Sequence, residues 1–302
     1  MWTRADIPPQ TGRLAVVTGA NAGLGYEIAH GLAAAGARVV LACRNEQRGE
    51  AAAGRLLDTV PGAQVDVRRL DLADLASVAA FAGALAADHQ RLDLLVNNAG
   101  LMAVDEGRTA DGFETQLGVN HLGHFALTSH LLPLLADVPG SRVGTMASMG
   151  HRRGRLRVDD LMFDRRGYRR WQPYFDSKQA NLLFTLELQR RLTASGALTV
   201  AVTAHPGASH TDLGTEGKGL TNRLMSGVAP LLTQPAARGA EPMLRALTDP
   251  GVQGGEFFGP RFVVAGAPRI ERPARRARDA ELARQLWEAS EELTGQRVGR
   301  AA

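Results

Sequence analysis

Six short β-branched runs, Leu14–Thr18, Ala37–Cys43, Gln64–Leu70, Leu92–Val96, Arg142–Met146 and Leu198–Ala204, alternate with longer Ala/Leu stretches such as Glu27–Ala35 and Ser77–Ala87. The longer stretches carry apolar residues at helical spacing, whereas the short runs are apolar at nearly every position and must therefore be covered on both faces. Strands and helices in strict alternation are satisfied by a parallel sheet with right-handed crossovers. The expected fold is α/β: one doubly wound parallel sheet with helices on both faces. In that topology ligands bind beyond the carboxyl ends of the strands.

At 302 residues, with 44% hydrophobic and 22% charged residues, the chain can bury a full core, which excludes disordered and fibrous classes. No Gly/Ser or Pro linker interrupts residues 12–215, so a single domain over 1–302 is expected. Cys43 stands alone, which excludes an internal disulfide framework. The N-terminus lacks a basic-then-apolar signal pattern and no run of 18 apolar residues is present, so no transmembrane segment and a cytoplasmic location are expected. Two segments break the rhythm and read as insertions near the active site. Residues 149–173 hold eight arginines against three aspartates, and residues 214–240 are punctuated by glycine and carry Leu220, Leu224, Met225, Val228, Leu231 and Leu232. Long irregular insertions are commonly binding loops or lids, so 214–240 is expected to be an apolar lid and 149–173 an outer rim. Residues 279–294 read as a C-terminal docking helix, with an acidic cap at Asp279, an apolar stripe of Leu282, Leu286, Ala289 and Leu293, and a stop at Gly295.

Directly after the first strand comes Thr18-Gly19-Ala20-Asn21-Ala22-Gly23-Leu24-Gly25, a TGxxxGxG arrangement that opens a helix. Such glycines let backbone N–H groups and a helix N-terminus approach a pyrophosphate. Later strand ends carry Asn97-Asn98-Ala99-Gly100, Asn120 in VNHLGHF, Ser148, Tyr174-Phe175-Asp176-Ser177-Lys178 and Pro206-Gly207. Together these motifs resemble the short-chain dehydrogenase/reductase family over roughly residues 12–215, which implies a Rossmann-like sheet. ACRN at 42–45, the long Ser148-to-Tyr174 spacing, the run SKQANLLFTLELQRRL and HPGASHTDL at 205–213 are similar to its retinol dehydrogenase and WW-domain oxidoreductase-like branch.

Carbonyl reduction needs a hydride donor on one face and a proton donor to the oxygen. Tyr174 and Lys178 are four residues apart, so on a helix they share a face, and a cation there lowers a phenol's pKa from its usual value of about 10. Tyrosines number three and lysines only two among 35 basic residues, which makes the pairing informative. By resemblance, Tyr174 is the acid/base, and Lys178 perturbs it and binds the nicotinamide ribose. Ser148 holds the substrate oxygen, and Asn120 holds a water linking Lys178 to solvent. The resemblance further implies dinucleotide contacts from Gly19, Asn21, Gly23, Leu24, Gly25, Asp71, Leu72, Asn98, Ala99, Gly100, Tyr174, Lys178, Pro206, Gly207 and Thr211. Asp71 also suits a helix cap. Where an acidic residue would bind the ribose of NAD, the chain reads Ala42-Cys43-Arg44-Asn45. A guanidinium there pairs a 2′-phosphate, so NADP(H) is the preferred cofactor, with NAD(H) also accommodated. Two departures from the family pattern are the TMAS run ending at Ser148 in place of NVSS and the 26-residue Ser148-to-Tyr174 interval.

His121, His124 and His130 share a helix, but no carboxylate or cysteine completes a set with them, so core or surface roles and no metal are expected. The arginines of 149–173 lack any accompanying nucleic-acid fold signature, so no nucleic-acid partner is expected. The function expected is an NADP(H)-preferring oxidoreductase interconverting an alcohol and a carbonyl, with the branch resemblance implying a lipophilic small-molecule substrate. The alternative is a dinucleotide-binding sensor or scaffold without turnover. A homo-oligomer stays open.

Overall fold

The computed structural model describes residues 2–208 and 234–297. Among them, β1 (Leu14–Thr18), β2 (Arg38–Cys43), β3 (Val65–Arg69), β4 (Leu94–Asn97), β5 (Arg142–Met146), β6 (Val200–Ala204), β7 (Phe257–Pro260) and β8 (Pro268–Glu271) form one sheet in the order 3-2-1-4-5-6-7-8. Strands β1 to β7 are parallel and β8 is antiparallel to β7. The strand order reverses at β1/β4, which opens a crevice at the carboxyl ends of those two strands.

The helices are α1 (Gly23–Ala34), α2 (Glu46–Thr59), α3 (Leu75–Asp88), α4 (Thr115–Leu117), α5 (Gly123–Leu135), α6 (Trp171–Ser195), α7 (Ala236–Thr248) and α8 (Ala280–Thr294). Period-two alternation divides each strand between two apolar clusters. Ala15 and Val17 of β1 and Val39 and Leu41 of β2 face Ile28 and Leu32 of α1 and Met243 and Leu244 of α7. Leu14, Val16, Val40 and Ala42 face Phe81 of α3, Phe125 of α5 and Phe184 of α6. The near-continuous apolar runs are thus consumed on both faces, as a doubly wound sheet requires. Asn45, Asp74 and Asp279 cap α2, α3 and α8 by accepting backbone N–H bonds.

Strands β7 and β8 have no counterpart in the sequence reading. Phe257–Pro260 reads FFGP and Pro268–Glu271 reads PRIE, and Gly and Pro argue locally against strands. They form because β6 offers an open edge, along which Thr203 and Ala204 register with Phe257 and Phe258.

The C-terminal helix docks where the apolar stripe indicates, but its anchor is Trp287. This side chain is 1% exposed, stacks on Phe184 at 5.8 Å, meets Phe125 edge-on at 5.0 Å and lies under the Arg191 guanidinium at 4.6 Å. Trp287→Ala is expected to lower stability by about 3–5 kcal/mol, measured as a fall in the denaturation midpoint. A change below about 1 kcal/mol would show that α8 contributes little to the core.

Candidate active site

The glycine loop leaves β1 and enters α1. Gly19 and Gly23 adopt φ of +65° and +54°, and a Cβ on Gly25 would collide with the Gly19 carbonyl and the Asn98 amide. That crowding brings backbone to backbone at the head of α1, the cradle a pyrophosphate requires. The loop is tied to the end of β4 through Thr18, whose hydroxyl accepts the N–H groups of Asn98 at 2.9 Å and Ala99 at 3.0 Å. The Asn98 side chain returns a bond to the Thr18 carbonyl at 2.9 Å.

Asn120 sits in a π-helical turn, Gly118–Leu122, inserted between α4 and α5. Such turns free backbone groups from the regular ladder. Its side chain clamps Leu101, accepting from the backbone N–H at 2.7 Å and donating to the carbonyl at 2.9 Å, and it donates to Ser177 at 2.8 Å. Its backbone carbonyl accepts from His124 Nδ1 at 3.1 Å, while His124 Nε2 lies 2.9 Å from the Thr18 hydroxyl. Burial draws the His124 pKa down to about 4, so the ring is neutral. A carbonyl cannot donate, so the network assigns the proton to Nδ1, and Nε2 accepts the Thr18 O–H. His124 therefore links the glycine loop to Asn120, a role more specific than the core or surface role expected from the sequence. His121 is likewise buried, paired with Ser290 at 2.9 Å, and neutral with a pKa drawn down to about 3. Among the described residues no group of three or more His, Cys, Asp or Glu side chains could hold a metal ion.

Ser148 follows β5, and Tyr174 and Lys178 lie one turn apart in α6. Despite the 25 residues between them, the Ser148 hydroxyl comes close enough to the Tyr174 phenol to draw its pKa down. The long loop is anchored by acids: Arg166 reaches Asp176 at 2.9 Å and Asp160 at 3.4 Å, and Arg165 reaches Asp159 at 2.6 Å. Part of the arginine-rich segment is therefore internal scaffolding rather than a free cationic rim. Lys178 Nζ donates to the Met146 carbonyl at 3.2 Å and lies 5.9 Å from the centre of the Tyr174 ring. A Cβ on Gly100 would stand 3.1 Å from Asn120 Oδ1 and 3.4 Å from Lys178 Nζ, so the β4 turn, the π-helical turn and α6 converge.

Both titrating groups respond mainly to desolvation. Burial raises the Tyr174 phenol above its usual 10, partly offset by the Ser148 hydrogen bond, and lowers the Lys178 ammonium to about 8. The sequence reading expected Lys178 to lower the Tyr174 pKa, but here burial outweighs any such effect. With one hydrogen bond among the described residues, the Lys178 ammonium retains donors for a ligand.

Arg44 is exposed at the end of β2, next to Asn45, which caps α2. Asp71 accepts from Ala73 N at 3.0 Å, and the cap of α3 falls to Asp74, so Asp71 is no helix cap. Asn21 and Leu24 lie on the glycine loop and the first turn of α1, and Leu72 is buried beside Asp71. Pro206 and Gly207 follow β6, with Gly207 at φ +70°. Burial pushes the Cys43 thiol up to about 11, which makes it unreactive. Thr211 and residues 214–233 of the expected lid lie outside the described residues. The remainder of that segment returns at Gln234, which bonds Ala208 and Pro206, and enters α7.

A glycine cradle at the strand-order reversal, faced by a Ser–Tyr–Lys group, defines a dinucleotide-dependent oxidoreductase. The chain belongs to the short chain dehydrogenase family, whose model matches residues 13–218. It is an NAD(P)-dependent oxidoreductase acting on CH–OH groups. It is 40% identical to retinol dehydrogenase 12 of Homo sapiens over 295 residues, covering 97% of this chain and 89% of that protein. It is 38% identical to retinol dehydrogenase 13 of Homo sapiens over 299 residues, covering 97% and 87%. An uncharacterized protein from Mycobacterium paratuberculosis superposes with a TM-score of 0.84 at 45% identity over 99% of both chains. The Pseudomonas aeruginosa RhlG/NADP complex superposes with a TM-score of 0.64 at 25% identity, over 83% of this chain and 95% of that one.

Proposed function

We propose that this chain is an NADP(H)-preferring enzyme that interconverts a lipophilic alcohol and its aldehyde or ketone, working as one domain in the cytoplasm. The reading rests above all on the convergence of Ser148, Tyr174 and Lys178 with Asn120 beside the glycine cradle. Retinol dehydrogenase relatives support the substrate class, and an NADP complex among the structural neighbours supports the cofactor. No helix of the described residues is long and apolar enough to cross a membrane.

The nicotinamide cofactor supplies or accepts the hydride. Ser148 holds the substrate oxygen by hydrogen bond, and Tyr174 gives that oxygen a proton on reduction or takes one on oxidation. Protonated Lys178 stabilises the phenolate that reduction leaves on Tyr174, and its free donors meet the ribose hydroxyls. Asn120 holds the water that returns a proton to Lys178. Backbone groups of Gly19, Asn21, Gly23, Leu24 and Gly25 receive the pyrophosphate. By the family resemblance, Asp71 and Leu72 would meet the adenine, Asn98, Ala99 and Gly100 would contact the dinucleotide, and Pro206, Gly207 and Thr211 would hold the carboxamide. The test is oxidation or reduction of NADP(H) across a panel of alcohols, aldehydes and ketones, followed at 340 nm. Absence of turnover with every pair alongside intact NADPH binding would favour a sensor.

Selectivity is assigned to Arg44. Arg44→Asp replaces a phosphate partner with a carboxylate suited to a ribose diol, and a charge-assisted bond to phosphate contributes roughly 1.5–3 kcal/mol. The ratio of NADPH to NADH affinity is expected to fall about tenfold or more, read by nicotinamide fluorescence. An unchanged ratio would leave Arg44 as an exposed loop cation.

A further inference from the structure

His205 follows β6 and directly precedes Pro206-Gly207, and its ring is buried. Its Nδ1 lies 3.1 Å from the Gly207 backbone N–H and its Nε2 lies 3.3 Å from Glu271 Oε2. Because the amide can only donate, Nδ1 is the acceptor, the proton sits on Nε2, and that proton points at the carboxylate. Glu271 lies on β8 opposite Phe257 of β7, whose ring stands 5.2 Å from the His205 ring. The Glu271 side chain is only 4% exposed, and one of its oxygens, Oε1, is buried with no hydrogen-bond partner among the described residues. A buried carboxylate left half-satisfied is costly unless it serves a neighbour. Arg152 and Arg269 stand 3.9 and 3.7 Å away, too far to replace His205 as its partner. Space is kept for the pair by Gly259 of β7, since a Cβ there would overlap His205 Nε2.

The adjoining segment performs a parallel task on the other side of the site. His151 donates from Nδ1 to the Ser148 carbonyl at 2.7 Å, and its Nε2 accepts the Ala274 N–H at 3.2 Å. The stretch from Glu271 to Ala274 thus braces both the turn after β5 and the turn after β6.

We propose that Glu271 is a positioning residue for the nicotinamide end of the cofactor. Its carboxylate fixes His205 as the acceptor for Gly207 N–H and so holds the Pro206–Gly207 turn in place. The proposal rests on the reading of that turn as lining the carboxamide. The substitution Glu271→Gln keeps the shape and removes the charge that strengthens the bond. It is expected to weaken NADPH binding about three- to tenfold while leaving 2′,5′-ADP, which lacks the nicotinamide half, within about twofold. His205→Asn retains a short acceptor for Gly207 but cannot reach Glu271, so adding Glu271→Gln in that background should cost nothing further. Affinity is read by fluorescence for NADPH and by calorimetry for 2′,5′-ADP, with thermal melts as the check on folding. If Glu271→Gln does not fold, Glu271→Asp, which draws the charge back from His205, carries the same comparison. Unchanged NADPH affinity, an equal loss for both ligands, or an undiminished effect in the His205→Asn background would overturn the role of Glu271 alone. A wild-type protein that binds 2′,5′-ADP with no gain from the nicotinamide half would overturn the carboxamide reading and this proposal with it.

Discussion

Tyr174→Phe is expected to reduce turnover by about 10²–10⁴-fold, the usual contribution of a positioned general acid or base, while NADPH affinity stays within about twofold. The substitution removes one hydroxyl from a ring packed edge-on against Trp171 at 6.1 Å and leaves that packing intact. Burial holds the phenol above its usual pKa, so at neutral pH the free enzyme carries the protonated form that carbonyl reduction needs. Reduction should therefore be favoured below the phenol's pKa and alcohol oxidation should gain as pH rises toward it. Steady-state rates at 340 nm with a substrate from the active panel, paired with NADPH titration, decide the matter. Wild-type turnover in Tyr174→Phe would remove this residue from the chemistry.

Lys178→Met is expected to lower turnover and NADPH affinity together, since one cation serves both, and at the same time to stabilise the fold. Burial depresses the ammonium from 10.5 to about 8, a shift corresponding to an upper bound on the order of 3 kcal/mol against the folded state. The sign follows from the depressed folded-state value. Below pH 8 the amine is charged in both folded and unfolded chains and the full penalty stands. As pH rises from about 8 toward 10.5 the folded protein sheds its proton first, and the penalty fades. Lys178→Met should therefore melt at a higher temperature than the wild type at pH 7, and the difference should shrink by pH 10. Loss of the bond to the Met146 carbonyl offsets part of the gain. A variant that melts lower at pH 7, or that binds NADPH undiminished, would show that Lys178 is a structural cation.

The substitutions also separate what is local from what is distant in this fold. Strands β1 to β6 lie within or at one residue of the runs read from the sequence, because a strand buried on both faces must be apolar along its whole length. The helix cap at Asp279 is legible for a similar reason, since a cap is made within three residues of itself. The glycine loop, Asn120, Ser148, Tyr174 and Lys178 stand out because their chemistry requires particular residue types at particular strand ends and helical spacings.

Other features depend on partners far along the chain. Phe257–Pro260 and Pro268–Glu271 become strands only because β6 has an unpaired edge, so no local pattern announces them. Arg166 binds Asp160 and Asp176 across the interval between Ser148 and Tyr174, pairings that no local pattern announces. Nothing local in the sequence marks the partners of His124, read with His121 and His130, or of His205 in the HPG run. Their bonds to Thr18, 106 positions away, and Glu271, 66 positions away, turn one toward the glycine loop and the other toward the Pro206–Gly207 turn. The sequence by itself determined the parallel sheet and placed the glycine loop and the candidate catalytic side chains at its strand ends, because periodicity and motif spacing act over a few residues. Only the tertiary structure decided the pKa values of Tyr174 and Lys178, the protonated nitrogen of each histidine and the brace at Glu271, because desolvation and hydrogen-bond partners exist only after distant segments have packed together.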